Sequence, residues 1–291
     1  MKVNSLGRAM SEQVTTPGPE IVGIKADARP FLRWAGSKQR LLGQILPFIP
    51  TTYGRYYEPF LGSGALFLAL QPDRASLSDF SPEVVGVWKA VRDNADYLGA
   101  YLRPLKPDKG IFYDIRANRA TDYPERAAEF LYLNKTCWNG LYRVNKRGEF
   151  NVPYGAPQSD FIFDEGNLRA CSTLLKRRGV TITRCDFGKT LSRPRAGDLV
   201  FLDPPYVTKH NLNGFRDYNE KLFSWSDQER LALTAKRLAD RGVHVIISNA
   251  DHADVVALYE GFRLVQLERP STLASNASKR GRVTEAMFVS F

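Results

Sequence analysis

The stretch LVFLDPPY at residues 199–206 decides the fold class. Its four apolar residues predict a short buried strand, which ends at Pro204 and Pro205 because proline has no backbone N–H for pairing. Asp203, a main-chain carbonyl and the Tyr206 ring then lie at the carboxyl end of the strand, where open α/β sheets bind ligands. This corner suits a flat base whose exocyclic amino group donates to Asp203 and the carbonyl while its ring stacks on Tyr206. The alternative is an ordinary turn in which Asp203 is a local acceptor.

Three more acidic residues follow predicted strands in the same way. Glu58, Asp79 and Asp186 each come at or soon after the end of a short strand-like run. If the strands are parallel neighbours, these carboxylates share one edge of the sheet with Asp203. A carboxylate after the second strand commonly holds ribose hydroxyls, and Asp186 beside Phe187 would mark an adenine pocket. The joint pattern predicts a nucleoside-containing cofactor, although each acid alone is more often a cap.

Two glycine-containing segments in the first quarter of the chain add to this pattern. In EPFLGSG (residues 58–64), Gly62 and Gly64 let the backbone approach a ligand closely. In WAGSK, Trp34 and Lys38 would flank a cofactor and meet a carboxylate such as the methionine end of S-adenosylmethionine. The alternatives are an ordinary turn for the glycines, and a core tryptophan with a solvated lysine for the second segment.

The alternation of strands and helices lapses between residues 93 and 178. This region is rich in aromatic, Asn and basic residues, and it predicts an inserted, mainly helical module in an α/β sheet. Regular elements flank it, including a helix over 65–70, a helix capped by Ser81, a capping box at 226–229 and a closing hairpin. The predicted domains are a flexible arm (1–28), a catalytic domain (29–92 and 179–291) and the insertion (93–178).

Composition restricts the partners and the compartment. The net charge is +10, from 41 Lys and Arg against 31 Asp and Glu, which favours a polyanionic partner, nucleic acid before membrane; a merely soluble basic protein is the alternative. Cys137, Cys171 and Cys185 have neither disulfide-framework nor zinc-motif spacing, which fits a reducing interior. No apolar run reaches the ~20 residues of a membrane span, and we see no signal-peptide core. We expect a cytoplasmic protein that needs no metal.

Several separate motifs, in order, resemble one family, the Dam-type or D12-class DNA adenine-N6 methyltransferases. The motifs outside the insertion are WAGSK (34–38), EPFLGSG (58–64), Asp79, DPPY (203–206) and SNAD (248–251). Those inside it are YLNK (132–135), NGLYR (139–143) and RGEFNVP (147–153), which resemble the family's target-recognition domain. The resemblance covers roughly residue 30 to the end. Departures from the usual family pattern are Arg33, Ser37 and Trp138, where Lys, Gly and Tyr are frequent.

The resemblance implies a Rossmann-like S-adenosylmethionine-dependent methyltransferase sheet with an inserted, mainly helical target-recognition domain. It implies methyl transfer from S-adenosylmethionine to the exocyclic amine of an adenine flipped out of double-stranded DNA, with GATC or an overlapping site as the first sequence to test. We expect a monomer, with no membrane partner, in a prokaryotic cell or phage-infected host.

The implied site has three groups of residues. The catalytic group is Asp203, Pro204, Pro205 and Tyr206. The cofactor-binding group is Trp34, Lys38, Glu58, Phe60, Gly62, Gly64, Asp79, Asp186, Phe187 and Asp203. The DNA-binding group is Trp138, Asn139, Arg143, Lys146 and Arg147. Within it, Arg143 and Asn139 are assigned to base edges or, equally, to phosphates. Lys146 and Arg147 are assigned to phosphates, and an aromatic near Trp138 or Tyr142 to the gap left by the base.

Two other classes of function stay open from the sequence. The first is a methyltransferase for another planar nitrogen, either RNA adenine or a protein glutamine amide. The amide enzymes favour Asn at the position of Asp203, which argues against them here. The second is a DNA-binding module whose catalytic parts are remnants, against which the complete DPPY motif argues.

Overall fold

The computed structural model describes residues 28–145, 147–159, 163–207, 223–270 and 282–291. The predicted arm, apart from its last residue Ala28, lies outside these residues, and so does Lys146 of the predicted DNA-binding group.

The core of the protein is one mixed sheet, which has seven strands within the described residues. The strands are β1 (Tyr56–Glu58), β2 (Arg74–Asp79), β3 (Gly179–Arg184), β4 (Leu199–Leu202), β5 (His244–Ala250), β6 (Arg263–Pro270) and β7 (Arg282–Val289). Their order is β3-β2-β1-β4-β5-β7-β6. The first five are parallel, whereas β7 is antiparallel to both of its neighbours. This order confirms the predicted α/β fold and the closing hairpin.

Helices cover both faces of the sheet. They are α1 (Leu42–Ile45), α2 (Ala65–Leu70), α3 (Pro82–Leu102), α4 (Lys109–Ala117), α5 (Glu125–Thr136), α6 (Glu165–Leu175), α7 (Phe187–Leu191), α8 (Trp225–Asp240) and α9 (Ala253–Leu258). Short 3₁₀ turns span Lys38–Leu41, Leu46–Phe48 and Trp138–Gly140. None of the helices in the described ranges is long and apolar enough to cross a membrane.

The sequence of strand β4 explains why helices pack on both faces of the sheet. All four of its residues are buried, as expected for a parallel strand that is covered on both faces. Leu199 and Phe201 pack into one hydrophobic cluster with α3, α5 and α6, whereas Val200 and Leu202 pack into a second cluster with α7 and α8. The uninterrupted apolar run therefore holds a central strand between two helical layers.

Two predicted helix starts have different outcomes. The Ser81 hydroxyl accepts the N–H of Val84 and begins α3, as predicted. The capping box predicted at residues 226–229 is wrong by two residues, because Ser224 and Asp227 form it instead. Asp227 accepts the N–H of Ser224 at 3.0 Å and donates its own N–H to the Ser224 hydroxyl at 3.2 Å, so the helix begins at Trp225.

The predicted insertion is mainly helical in its described part, and it packs closely on the sheet layer. Helix α3 continues through residue 93, with one non-helical residue at Asn94. Helix α6 packs against α3 and leads into β3. A loop follows α5, and two isolated β-bridges, Cys137–Tyr154 and Val144–Phe150, connect its described residues. The boundaries of the target-recognition domain stay a prediction.

Candidate active site

The predicted acidic residues lie along the carboxyl edge of the parallel strands. Strand β1 pairs with β2 on one side and β4 on the other, so their carboxyl ends are adjacent. Glu58 and Asp79 end β1 and β2, and Asp203 directly follows β4. Asp186 lies two residues beyond β3 and caps α7. The sheet therefore brings the four carboxylates to one edge, as the spacing predicted.

The glycine turn after β1 is fixed between two tryptophans. Gly62 and Gly64 both have positive φ, +43° and +58°, a conformation that favours glycine. A Cβ on Gly62 would lie 2.7 Å from the Trp34 ring, and one on Gly64 would lie 2.5 Å from the Trp88 ring. Trp88 also donates its indole N–H to the Gly62 carbonyl at 3.0 Å. These glycines are thus required by packing as well as by backbone conformation.

Asp79 holds the same turn from the next strand. One of its oxygens accepts the N–H of Gly62 at 3.0 Å, and the other accepts the N–H of Ser81 at 2.9 Å. Burial raises the pKa of Asp79, and these backbone donors oppose that rise. Phe80 directly follows, and 60% of it is exposed. The sequence reading missed this aromatic, although its position immediately after a strand-end acid was a usable signal.

Lys38 lies at the centre of the predicted catalytic corner, which is formed by the DPPY segment at residues 203–206. Only 3% of its side chain is exposed, and its ammonium donates to the Gly36 carbonyl at 2.6 Å. It contacts the two Asp203 oxygens at 2.7 and 2.9 Å and lies 3.6 Å from Glu285. It is also 5.1 Å from the centre of the Tyr206 ring. The sequence predicted both Lys38 and Asp203 as site residues, but not that they form an ion pair.

The ionisation of Asp203 depends on that ion pair. Burial raises the pKa of Asp203 to about 6, even though the Lys38 ammonium lowers it in part. The carboxylate is therefore ionised at neutral pH, with Lys38 as its counter-ion. Pro204 is buried beside it, and the Pro205 carbonyl accepts from Gln228 at 3.4 Å. The DPPY segment is thus held by both side-chain and backbone contacts.

Tyr206 is held at its hydroxyl. It donates to Glu285 at 2.7 Å and lies 2.9 Å from the Ser248 hydroxyl. Because the tyrosine proton goes to Glu285, Ser248 is the donor in the second bond. The sequence reading missed Glu285 and Ser248 as partners of Tyr206; the only local signal for Glu285 is an acid within an apolar strand.

Glu58 lies deeper than the other three acids. It is buried, and the Tyr56 hydroxyl donates to it at 2.9 Å. Burial raises the pKa of Glu58 to about 8, with the charge of Asp203 adding to the rise. Glu58 is therefore mostly protonated at neutral pH, which limits the negative charge beside Asp203.

The residues of the predicted adenine pocket belong to a cluster of aromatic rings with one ion pair. Phe60, Phe187 and Phe223 have their ring centres 5.5 to 5.8 Å apart. Arg230 lies 3.8 Å above the Phe187 ring and binds both oxygens of Asp186, at 2.7 and 2.8 Å. This arginine holds the pKa of Asp186 below its usual range. The sequence did not indicate Arg230, because it comes from a helix 44 residues further along the chain.

The described residues of the predicted DNA-binding group lie on the surface of the loop after α5. Trp138 is 50% exposed, and Asn139 is exposed with φ +54°. Arg143 is exposed and donates to the Asn151 side chain at 2.8 Å, across a hairpin whose turn contains the exposed Arg147. Tyr142, the alternative gap-filling aromatic, instead stacks on Trp34 at 5.7 Å, so the structure favours Trp138.

Contacts of Arg33 with the end of α5 and with the loop after it connect this loop to the predicted catalytic corner. The Asn134 side chain accepts the N–H of Arg33 at 2.8 Å and donates to the Arg33 carbonyl at 2.7 Å. Gly140 has positive φ, and a Cβ there would lie 2.5 Å from the Cβ of Arg33. The segment from Arg33 to Lys38 therefore joins the Trp138–Gly140 turn, in which Trp138 and Asn139 are exposed, to Asp203.

The sheet order, the acidic edge beside a glycine turn and the DPPY corner define an α/β methyltransferase. A family model described as D12 class N6 adenine-specific DNA methyltransferase matches residues 34–273. The chain belongs to this family and is an adenine-specific DNA methyltransferase, which confirms the resemblance and the predicted enzyme class.

Curated relatives are similar to this chain over almost its whole length. Type II methyltransferase M1.LlaDCHI of Lactococcus lactis subsp. cremoris is 33% identical, over 92% of this chain and 97% of that protein. Type II methyltransferase M.MjaIII of Methanocaldococcus jannaschii is 36% identical, over 87% and 96%. A DNA adenine methylase of Haemophilus influenzae is 32% identical, over 94% and 97%.

Proposed function

We propose that this methyltransferase takes its methyl group from S-adenosylmethionine and transfers it to the exocyclic nitrogen of an adenine flipped out of duplex DNA. The first target to test is GATC or an overlapping site. The observation that carries the proposal is the buried corner in which Lys38, Asp203 and Tyr206 meet at the carboxyl edge of the sheet, next to the Gly62 turn.

The residues along the edge fit the proposed cofactor. The Asp79 oxygens accept the backbone N–H groups of Gly62 and Ser81, and a carboxylate has about four acceptor sites, so it has capacity for a further donor such as a ribose hydroxyl. The exposed Phe80 and the half-buried Phe60, at the edge of the cluster with Phe187 and Phe223, offer flat apolar faces for a purine. Asp186 is an acceptor at the rim of that cluster. When bound, S-adenosylmethionine would supply an electrophilic methyl group on a sulfonium.

Asp203 and the neighbouring Pro204 carbonyl would make the adenine amine a better nucleophile. The lone pair of an aromatic amine is delocalised into the ring, so the amine reacts poorly. Two acceptors, the Asp203 carboxylate and the Pro204 carbonyl, would take its two hydrogens and favour a pyramidal nitrogen. Positioning and electrostatic stabilisation then supply most of the catalysis. For this purpose Asp203 must be ionised, and the Lys38 ammonium stabilises that state.

The base must leave the helix stack to reach this buried corner. Extrusion costs a few kcal/mol, which two aromatic side chains would offset. The Tyr206 ring would stack on the extruded adenine, and the half-exposed Trp138 would fill the gap in the duplex. The packing of Tyr142 on Trp34 supports Trp138 rather than Tyr142 for that second role.

Target reading is assigned to the insertion over residues 93–178. The Arg143 guanidinium is fixed by Asn151 on the neighbouring part of the hairpin, so it presents a preorganised donor for a guanine edge. Asn139 is assigned to a nearby base edge and Arg147 to phosphate. A monomer acting on double-stranded DNA is sufficient for this arrangement.

Asp203→Ala tests the proposal. The variant should lose at least about a thousandfold in single-turnover methylation of a duplex with one target site, a loss in the range of a removed transition-state hydrogen bond or more. DNA affinity should stay within about twofold, since the phosphate contacts that dominate DNA affinity are unaffected. Mapping N6-methyladenine in DNA from cells that express the chain would identify the target sequence.

Asp198→Asn is the matched control, because Asp198 is also a buried carboxylate but lies at the opposite, amino end of β4. It should leave the single-turnover rate unchanged. Retained methylation by Asp203→Ala would contradict the assigned role of Asp203. Methylation of RNA in preference to duplex DNA would contradict the proposed substrate.

A further inference from the structure

Strand β7 carries a buried carboxylate that neither the sequence motifs nor the proposed mechanism uses. Glu285 is 3% exposed and lies between Ala250 of β5 and Leu267 of β6. The residues that follow it in the strand are apolar and buried. Burying a carboxylate is unfavourable unless it is paired. The contacts of Glu285 should therefore account for its presence there.

The first contact is with the tyrosine of the DPPY segment. Glu285 accepts the Tyr206 hydroxyl proton at 2.7 Å, and Ser248 lies on the other side of the same hydroxyl at 2.9 Å. Two partners on one oxygen fix the end of the side chain, so the plane of the ring is fixed as well. A ring that is to stack on an extruded base needs this preorganisation.

The second contact is with the ammonium of Lys38. Lys38 lies between two carboxylates, at 2.7 Å from Asp203 and 3.6 Å from Glu285. When Asp203 turns its lone pairs to an amino group of the base, it weakens its bond to Lys38. Without another partner, that would leave a buried ammonium poorly compensated, which is strongly unfavourable. Glu285 is close enough to keep the ammonium paired during this exchange.

We propose that Glu285 is a positioning residue for methyl transfer: it orients Tyr206 through the hydroxyl and retains Lys38 when Asp203 engages the base. This inference rests on the proposed roles of Asp203 and Tyr206. It assigns to β7, the antiparallel strand of the sheet, a role in the reaction in addition to closing the fold.

Three variants separate the two contacts. Glu285→Ala removes both, Glu285→Gln keeps an acceptor for Tyr206 but has no charge for Lys38, and Tyr206→Phe removes only the hydroxyl. Glu285→Ala should slow single-turnover methylation by roughly tenfold to a hundredfold, as expected for loss of hydrogen bonds to a charged group. Glu285→Gln should be slower than the wild type and faster than Glu285→Ala. Duplex affinity should change by less than about twofold for each variant.

A double-mutant cycle distinguishes positioning from a general loss of stability. If Glu285 acts in part through the tyrosine hydroxyl, Glu285→Ala should have a smaller effect in the Tyr206→Phe background than in the wild type, because part of its role is already lost. Melting temperatures, with Asp198→Asn as the control for loss of a buried carboxylate, show whether each variant is folded under assay conditions.

Wild-type single-turnover rates in both Glu285 variants would overturn the inference, as would effects of Glu285→Ala and Tyr206→Phe that simply multiply. Neither result would affect the proposed function as long as Asp203→Ala is inactive. Conversely, an active Asp203→Ala variant would remove the basis of both.

Discussion

The protonation of Glu58 leads to a prediction about stability that is independent of any substrate. Glu58 is buried at the end of β1, and its carboxyl accepts the Tyr56 hydroxyl. Substituting Gln preserves the size of the side chain and an acceptor oxygen for Tyr56. It also fixes the neutral state, which is the state that the folded protein prefers.

The magnitude follows from linkage between proton binding and folding. Burial raises the pKa of Glu58 from 4.5 to about 8, so between these values the folded state holds a proton that the unfolded chain has released. The resulting stabilisation is fully present below the unfolded pKa and is lost as the pH rises through the folded pKa. With ~1.4 kcal/mol per pKa unit, the wild type should lose about 4 kcal/mol more than Glu58→Gln between about pH 5 and about pH 9.

Denaturant unfolding of both proteins across this pH range measures the difference. The contributions of other titrating groups, including Asp203, largely cancel in the comparison of variant with wild type. Glu260→Gln, the same change at an exposed position, is the control, and its free energy of unfolding should change with pH as that of the wild type does. If the free energy of unfolding of Glu58→Gln also changes with pH as that of the wild type does, the Glu58 carboxyl is not held neutral and the reasoning from burial is refuted.

Two further predictions concern the glycine turn and target reading. Gly62→Ala should lower the free energy of unfolding by about 1–3 kcal/mol and weaken S-adenosylmethionine binding measured by calorimetry, because its Cβ would meet Trp34. Gly261 also has positive φ but has open space around it, so Gly261→Ala measures the backbone strain alone. Equal losses of stability in the two variants would reject the contribution of the contact with Trp34. Arg143→Ala should relax sequence preference on a library of duplex sites, by about 1–3 kcal/mol at one base pair. Arg177→Ala is the control: Arg177 binds the Gln71 carbonyl and Asp73 just before the amino end of β3, so its loss should leave the preference unchanged. An unchanged preference in Arg143→Ala would reject Arg143 as a reader.

The positions of short helices and strand ends could be predicted from the sequence, because they depend on neighbouring residues. Helix α2 occupies residues 65–70 as predicted, because an apolar run directly follows the glycine turn. β1 ends at Glu58, as predicted from the acid that ends its short run. The capping box was placed wrongly because Ser224 and Ser226 both precede an acid by three residues. The local pattern cannot distinguish two such serines.

The contacts within the site were beyond local reasoning. Lys38 and Asp203 are 165 residues apart, and Tyr206 and Glu285 are 79 residues apart. The strand order brings Tyr206, which follows β4, and Glu285 of β7 to either side of β5, whereas Lys38 comes from a 3₁₀ turn outside the sheet. The sequence therefore predicted which residue types lie at the edge, whereas the pairing of charges among them required the structure.

One short segment explains why the predicted insertion is not a separable addition to the sheet. Arg33 is bonded to Asn134 of α5 through both its N–H and its carbonyl. Trp34 lies between the Gly62 turn and Tyr142, and Lys38 binds Asp203. Because these contacts belong to neighbouring residues of one chain segment, the loop that carries Trp138 and the corner that carries Asp203 are held in a fixed relation. The proposed mechanism requires that rigidity, because a base extruded at Trp138 would have to arrive at Asp203 in reacting geometry.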